Sequence, residues 1–179
     1  MLPRTPLPES TLLKRYLDYD PVTGIITCKE RWGGPTKTGQ VLGYTCPRGY
    51  VFIRFQWKLY PAHRLIYRMV TGIDPEQNEV DHENGNKSDN AWKNLRLATH
   101  SQNNQNTPLA KNNKSGAKGI SWSKQKQMWR ACISVGPRGS CRQVHCGFFD
   151  TVEEAEKAVK QMREKLHGGF TNHGTFPTT

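Results

Sequence analysis

The stretch 79–106 constrains the fold of this chain more strongly than any other part of the sequence. Its central run, 83–94 (ENGNKSDNAWKN), is rich in Asn, Gly, Asp and Ser, and therefore predicts a loop. The strand-like Val80-Asp81-His82 precedes this loop, and the short apolar run 95–98 predicts a second strand after it. Thr99 can then cap a helix that begins at the next residue. The sequence thus predicts strand, loop, strand and helix in close succession.

The N-terminal region, 1–60, carries weaker patterns. A helix is predicted over Ser10–Tyr19, with Ser10 as its cap and an apolar stripe made of Leu12, Leu13, Tyr16 and Leu17. Gly, Pro and Thr indicate a loop over 33–49, and the alternation of apolar and polar residues predicts one strand over 50–60. Whether this region extends a binding surface or completes a core is left open by its sequence.

The segments that follow are separated by composition. The segment 61–107 opens with a predicted helix over 62–71, which Gly72 ends. A polar and basic linker, 108–115, leads to the region 116–172, and a tail, 173–179, closes the chain. The region 116–172 predicts a three-stranded antiparallel sheet and one amphipathic helix, with strands over 119–122, 129–135 and 144–148, Thr151 and Glu154 as a capping box, and Val152, Ala155, Val159, Met162 and Leu166 along one helix face. The elements together predict an α+β fold.

Positive charge is concentrated in one part of the chain. The net charge is +11, and no acidic residue occurs between Asp89 and Asp150. That interval contains ten basic residues, namely Lys93, Arg96, Lys111, Lys114, Lys118, Lys124, Lys126, Arg130, Arg138 and Arg142. Such a run favours a polyanionic partner, because Lys and Arg that neutralise phosphates release counterions. The run therefore predicts a nucleic-acid-binding surface, with a merely solvated basic face as the alternative.

Two other classes of protein are disfavoured. No run of about 18 apolar residues is present, so no membrane-spanning helix is expected. The N-terminal MLPRTPLPES lacks the apolar core of a secretion signal. The five cysteines include no C-x-x-C pair, which favours free thiols in a reducing cytoplasm over the alternative of a zinc site built on Cys28 and Cys46 with histidines.

The pair Asp81-His82 is a weak signal alone, but its spacing to two later asparagines strengthens it. Asn94 follows His82 by twelve residues, and Asn103 follows nine further on. A strand, loop, strand and helix with functional groups at these places resembles the ββα-metal motif of HNH nucleases. The string EVDHENGNKSDNAWKNLRLATHSQNNQN is similar along its whole length to a phage subgroup that carries Asn at the last position.

That subgroup begins with a His-Arg pair, which is His63-Arg64 in this sequence. The resemblance implies a ββα-metal core to which residues 1–60 add an N-terminal α/β extension. The pair itself has two interpretations. Arg64 could bind a phosphate and His63 could support the catalytic loop, or both could be structural.

The resemblance also implies a role for each residue of the motif, and the chemistry agrees. Phosphodiester hydrolysis needs a base that takes a proton from water near neutral pH, and His82 is suited to that task. Asp81 and Asn103 supply oxygen ligands, which favour Mg²⁺ or Mn²⁺ over zinc, with one ion per active site. Asn94 is expected to hold the loop so that the His82 ring keeps its orientation.

The region 116–172 resembles the plant Apetala-type DNA-binding domain. Ser115–Trp122, Trp129–Ile133 and Gly147–Thr151 carry this resemblance, which implies a sheet that lies in the major groove of DNA. The expected DNA-binding residues are Lys118, Ser121, Trp122, Lys124, Lys126, Arg130 and Arg142, in addition to Arg64. Trp122 and Trp129 have a second interpretation as core residues that pack against the helix.

The sequence therefore predicts a monomeric, homing-endonuclease-like enzyme that cuts or nicks double-stranded DNA with a divalent metal ion. A phage-encoded protein of this kind would act in the cytoplasm of the bacterial host cell. The alternative is a non-catalytic, sequence-specific DNA-binding regulator, in which the nuclease segment is only a scaffold.

Overall fold

A computed structural model describes residues 5–76, 78–110, 112–136 and 140–174, and its compact units are 1–98 and 99–179. Lys111 and Arg138, two members of the basic run, lie outside the described residues. The predicted domain boundaries at residues 60, 107 and 115 stay predictions. Within the part of the chain that the structure describes, no helix is both long and apolar enough to cross a membrane.

The first unit opens with a helix that is shorter than predicted. Helix α1 spans Ser10–Tyr16, and the chain then turns into strand β1, Leu17–Tyr19, which pairs antiparallel with β2, Ile26–Cys28. The predicted helix over Ser10–Tyr19 was therefore wrong at its end, because Leu17 is buried in extended backbone opposite Cys28. Ser10 was also wrong as the cap, since it is the first helical residue and follows Glu9 in the capping position.

A three-stranded antiparallel sheet follows. It contains β3, Tyr44–Thr45, β4, Val51–Phe55, and β5, Lys58–Pro61, in that order. The single strand predicted over 50–60 was wrong, because the chain reverses at Gln56 and Trp57, whose φ angles are 46° and 66°. This left-handed backbone usually calls for Gly or Asn, so the sequence gives no sign of the turn.

Helix α2, Ala62–Thr71, agrees with the prediction, and Gly72 ends it in left-handed backbone with a φ of 74°. Strand β6, Glu79–His82, and strand β7, Leu95–Ala98, form the predicted pair, and a 3-10 turn at Trp92–Asn94 closes the loop between them. The core of this unit joins residues from α1, β1, β4, α2 and β6, among them Leu13, Leu17, Ile53, Phe55, Leu65, Ile66 and Val80. Each such side chain contributes about 1.5–3 kcal/mol when it is fully buried.

The second unit begins with helix α3, His100–Gln105. Thr99 and Gln102 form a capping box at its start, so the predicted cap at Thr99 is confirmed. Strands β8, Ile120–Ser123, β9, Met128–Val135, and β10, Arg142–Phe149, form the predicted antiparallel sheet with β9 at its centre. A bulge interrupts the pairing of β10 between His145 and Gly147.

Helix α4, Val152–His167, packs on one face of this sheet, where Ile120, Ala131, Ile133, Ala155 and Val159 form the core. Thr151 caps the helix by accepting from the backbone N–H of Glu154 at 3.2 Å, and Gly168 ends it. Leu166 was predicted on the apolar face but is exposed, and Arg163 is buried on that helix instead. Residues 168–170 form a 3-10 turn.

Candidate active site

His82 stands at the end of β6 with a buried ring that is 4% exposed. Its Nε2 lies 3.2 Å from Oδ1 of Asn90, and Nδ2 of Asn90 donates to the backbone carbonyl of Ser88 at 3.3 Å. The bond to Ser88 fixes which end of the Asn90 amide faces the histidine. An amide oxygen only accepts, so it selects the tautomer with the proton on Nε2, and the lone pair is then on Nδ1.

The environment of His82 favours its neutral form. Burial lowers the pKa of His82 below its ordinary value, and the positive charge of Lys87 adds to this effect. The bond to Asn90 and the charges of Asp81 and Asp89 oppose it but do not reverse it. A neutral imidazole at neutral pH is the form that can accept a proton.

Residues of the N-terminal region hydrogen-bond to the backbone of Asn90 and of the nearby Trp92. Oη of Tyr19 donates to the backbone carbonyl of Asn90 at 2.9 Å, and the backbone N–H of Trp92 donates to the carbonyl of Pro21 at 2.9 Å. A Cβ added to Gly24 would lie 2.4 Å from the backbone nitrogen of Ala91 and from the carbonyl carbon of Asn90. The turn between β1 and β2 therefore packs directly on the loop that carries Asn90.

Asn94 closes the same loop from its other end. Its Oδ1 accepts from the backbone N–H of Asn84 at 2.9 Å, and its Nδ2 donates to the carbonyl of Asp89 at 2.8 Å. Its backbone carbonyl also accepts from the N–H of Glu83 at 2.9 Å. One buried side chain thus joins both halves of the loop, which is a geometry suited to the loop-holding role that the sequence predicts for it.

Asp81 pairs with Arg96 across the two strands. The residues are opposite one another in the β6–β7 register, and Nε of Arg96 donates to Oδ2 of Asp81 at 3.0 Å. Nη1 of Arg96 also lies 3.8 Å from the Glu83 carboxylate. The Asp81 carboxylate is nearly buried, so the guanidinium compensates a charge that would be costly to desolvate alone.

His63, on α2, packs between two other rings. Its ring centroid lies 5.1 Å from that of His82, in an edge-to-face arrangement, and 5.4 Å from that of Tyr50. The ring of Tyr50 lies 6.0 Å from His82, and Nζ of Lys87 lies 4.8 Å above the centre of the Tyr50 ring. Arg64 is buried, and its Nη2 forms an ion pair with Asp74 at 3.3 Å. That contact is a structural one, in line with the second interpretation of the His-Arg pair.

Asp81 has the chemistry of a ligand for a hard divalent ion, because its donor is a carboxylate oxygen at the edge of the loop. Among the described residues, no three His, Cys, Asp or Glu side chains converge as a metal site would require. An ion at Asp81 would therefore need amide oxygens, water or a substrate phosphate for its other positions. Asn103, the second predicted ligand, lies on α3 in the second unit. All five cysteines are free thiols.

The expected DNA-binding residues of the second unit occupy different places. Ser121, Arg130 and Phe148 pair in register across the three strands, and Nζ of Lys126 lies 4.8 Å above the Phe148 ring. Arg142 is opposite Val135, five residues along β9 from Arg130, so it belongs to the other face of the sheet. Lys124 is exposed on the turn between β8 and β9.

Lys118 and the two tryptophans have further contacts of their own. Nζ of Lys118 donates to the carbonyls of Gln105, Thr107 and Asn172, at 3.0, 2.6 and 3.4 Å. A phosphate would have to displace one of these bonds. Burial lowers the pKa of Lys118 to about 8. Trp129 packs on the core, whereas Trp122, its cross-strand neighbour at 5.1 Å between ring centroids, is 45% exposed.

Several residues of this site were not found from the sequence. Asn90 is one of four asparagines in the segment 83–94, and only the folded loop shows which of them faces His82. Arg96 could have been found from the strand pairing, since residues opposite one another on paired strands are neighbours. Tyr50 and Lys87 carry no spacing signal, because separate turns bring them together.

Comparisons with known proteins give three matches. The family model described as HNH endonuclease matches residues 60–105. Protein 3.8 of Escherichia phage T7 is 33% identical over 114 residues, which cover 64% of this chain and 90% of that protein. The solved structure titled DNA binding and cleavage by the HNH homing endonuclease I-HmuI is similar over 92% of this chain and 93% of its own, with 20% sequence identity and a TM-score of 0.41.

Proposed function

This chain belongs to the HNH endonuclease family, and from that membership we propose that it is a divalent-metal-dependent endonuclease that cuts or nicks double-stranded DNA. The predicted resemblance to HNH nucleases is thereby confirmed, over residues 60–105. One observation carries the proposal of activity: a buried His82, held by Asn90 in the tautomer with its lone pair on Nδ1, directly follows the carboxylate residue Asp81 at the end of β6.

In the proposed reaction His82 is the general base. Its Nδ1 takes a proton from a water molecule, and the water oxygen bonds to the phosphorus of the scissile phosphodiester. The bond from phosphorus to the 3′ oxygen breaks, and that oxygen takes a proton from solvent. The products are a 5′-phosphate and a 3′-hydroxyl end. General base catalysis of this kind contributes about 10²–10⁴-fold to the rate.

Asp81 and Asn103 are the proposed ligands of one Mg²⁺ or Mn²⁺ ion. When bound, such an ion stabilises the negative charge that develops on the phosphate and on the leaving oxygen. The chain's own contribution at this position is a carboxylate whose orientation the bond to Arg96 fixes. Asn94 and His63 are proposed as positioning residues, because each contacts the loop or the ring of His82 itself.

DNA docking is proposed for the sheet of the second unit, in the manner of an Apetala-type domain. The surface consists of Ser121 and Arg130, which pair on one face of the sheet, with Lys124 and Lys126 on the adjoining turn, and all four are exposed. Trp122 and Arg142 are exposed on the opposite face, and Lys118 already donates to three carbonyls. We therefore give Trp122, Arg142 and Lys118 a smaller share in the contact than the sequence prediction did.

Plasmid cleavage tests the proposed activity. Supercoiled plasmid and phage DNA are incubated with the protein and Mg²⁺ or Mn²⁺, then with chelator and with His82→Ala. The wild type should produce nicked or linear DNA, and DNA ligase should reseal the nicks, because ligase needs a 5′-phosphate and a 3′-hydroxyl. Chelator and His82→Ala should abolish cleavage while the variant keeps its affinity for DNA. A wild type that binds DNA but cuts no site would leave the non-catalytic regulator as the better function.

A further inference from the structure

Lys87 is an exposed cation that contacts one of the rings of the candidate site. It lies on the loop 83–94, whose two halves are joined by the side chain of Asn94. Among the residues that the structure describes, no carboxylate lies within ion-pair distance of Lys87, and its ammonium instead lies 4.8 Å above the Tyr50 ring. At an exposed site the contact between a lysine and an aromatic face is weak, so the ammonium can still contact a phosphate.

Tyr50 in turn connects Lys87 to the two histidines. Its ring is within 6.0 Å of both His63 and His82, measured between ring centroids. The turn that presents Tyr50 is closed by hydrogen bonds from the N–H of Cys46 to the carbonyl of Tyr50 and from the N–H of Gly49 to the carbonyl of Cys46. A Cβ added to Gly49 would lie 3.8 Å from Cβ of Lys87, so this turn packs beside the lysine.

We propose that Lys87 binds a phosphate of the DNA strand at the His82 site, and that the Tyr50 ring holds the Lys87 ammonium in place for it. This inference deepens the proposed function and rests on it. The ammonium lies over the Tyr50 ring, whose centroid is 6.0 Å from that of His82. A phosphate that Lys87 holds would therefore lie close to the group of rings that contains His82, while the carboxylates Asp81 and Asp89 are engaged by other residues.

The carboxylates of Asp81 and Asp89 already have other partners, which leaves the Lys87 ammonium available to a phosphate. Asp81 is paired with Arg96, and Asp89 accepts from Nδ2 of Asn84 at 2.7 Å and from the N–H of Ala91 at 3.2 Å. A cation that is not neutralised by the protein can replace counterions on the DNA, and each phosphate contact of this kind contributes about 0.9 to the slope of log affinity against log salt concentration. Tyr50 is a positioning residue in this scheme, since it acts through Lys87.

The experiment measures DNA affinity by fluorescence anisotropy of a labelled duplex, without divalent metal, over a series of salt concentrations. Lys87→Gln should weaken binding by about three- to tenfold near 0.1 M salt and lower the salt slope by about 0.9, while Lys87→Arg should keep both. Tyr50→Leu removes the ring face and should give an intermediate loss. Tyr50→Phe keeps the ring face and should bind as the wild type does.

Lys37→Gln, at an exposed lysine of the same unit, is the matched control and should leave the slope unchanged. If Lys87→Gln and Lys37→Gln have the same affinity and the same slope, the proposal is overturned. A loss in Tyr50→Phe equal to that in Tyr50→Leu would overturn the role of the ring. Because this readout needs binding alone, it remains decisive if the wild type proves unable to cut DNA, which is the outcome that would refute the proposed endonuclease.

Discussion

Asn90 contacts His82 with its side chain and Tyr19 with its backbone. Its Oδ1 lies 3.2 Å from Nε2 of His82, and its carbonyl accepts from Oη of Tyr19 at 2.9 Å. A residue 71 positions earlier in the chain thus helps to set the tautomer of the candidate base. The N-terminal region, whose role the sequence leaves open, therefore supports the site as well as the core.

Replacement of Asn90 should affect the chemical step more than binding. Asn90→Ala removes the acceptor that selects the tautomer, so the cleavage rate at saturating DNA should fall by about 10–100-fold with little change in DNA affinity. Asn90→Asp keeps an acceptor but adds a negative charge, which raises the pKa of His82, so the rise of the rate with pH should move to higher pH. Single-turnover rates between pH 5 and 8 measure both effects. Equal pH profiles for Asn90→Asp and the wild type would contradict this role.

Gly24→Ala should destabilise the first unit and disturb Asn90. Gly24 has a φ of 76°, and an added Cβ would lie 2.4 Å from backbone atoms of Asn90 and Ala91. The expected loss in the free energy of unfolding is about 1–3 kcal/mol. Gly34→Ala is the matched control, because Gly34 has a φ of 71° with nothing within 4 Å of an added Cβ. Urea unfolding of both variants separates the two contributions: a similar loss in each would mean that backbone strain alone, and not the packing of the turn on the loop, is responsible.

The parts of the structure that the sequence predicted are those with a local physical cause. The helix over 62–71 follows from the spacing of its apolar residues, and the start of α3 follows from the cap at Thr99. The turn at Gln56 and Trp57 was missed because neither residue favours left-handed backbone, so the pairing of β4 with β5 imposes it. For Arg64 the sequence leaves a phosphate contact and a structural role open, because only the fold brings Asp74 to it. Partners that the tertiary structure supplies, such as Tyr19 for Asn90, leave no spacing in the sequence.

The stability of the metal-free protein should depend on pH through His82. Burial lowers the pKa of His82 in the folded state below the ordinary value of 6.5, which the unfolded chain keeps. Below pH 6.5 the unfolded state therefore binds more protons than the folded state. The contribution of His82 to stability is thus complete above pH 6.5 and is lost as the pH falls below that value. Thermal unfolding of the wild type and of His82→Gln from pH 5 to 8 measures it, and the wild type should lose more stability on acidification than the variant. Parallel curves would contradict the prediction.

Removal of Arg96 should destabilise the protein and strengthen its response to divalent metal. Arg96→Met leaves the Asp81 carboxylate, which is 6% exposed, without the guanidinium, so the free energy of unfolding should fall by about 2–4 kcal/mol. If Asp81 is a metal ligand, Mg²⁺ or Mn²⁺ should raise the Tm of Arg96→Met more than that of the wild type, because the competing cation is gone. The double variant Asp81→Asn with Arg96→Met is the control and should show little metal response. A response of the double variant as large as that of Arg96→Met would place the ion elsewhere.

The two faces of the second unit should differ in their effect on DNA binding. Arg130 is exposed in the row that joins Ser121 and Phe148, on the face opposite to the core, whereas Lys157 is exposed on α4, which covers the core. Arg130→Gln should reduce affinity for duplex DNA and lower the salt slope by about one, because it removes a phosphate contact, and Lys157→Gln should change neither. Both positions are exposed and carry one positive charge, so the loss of net charge is the same in each variant. The difference between the two slopes therefore reports the location of the DNA. Equal losses would mean that the second unit attracts DNA by net charge alone, and a loss confined to Lys157→Gln would move the docking surface from the sheet to the helix.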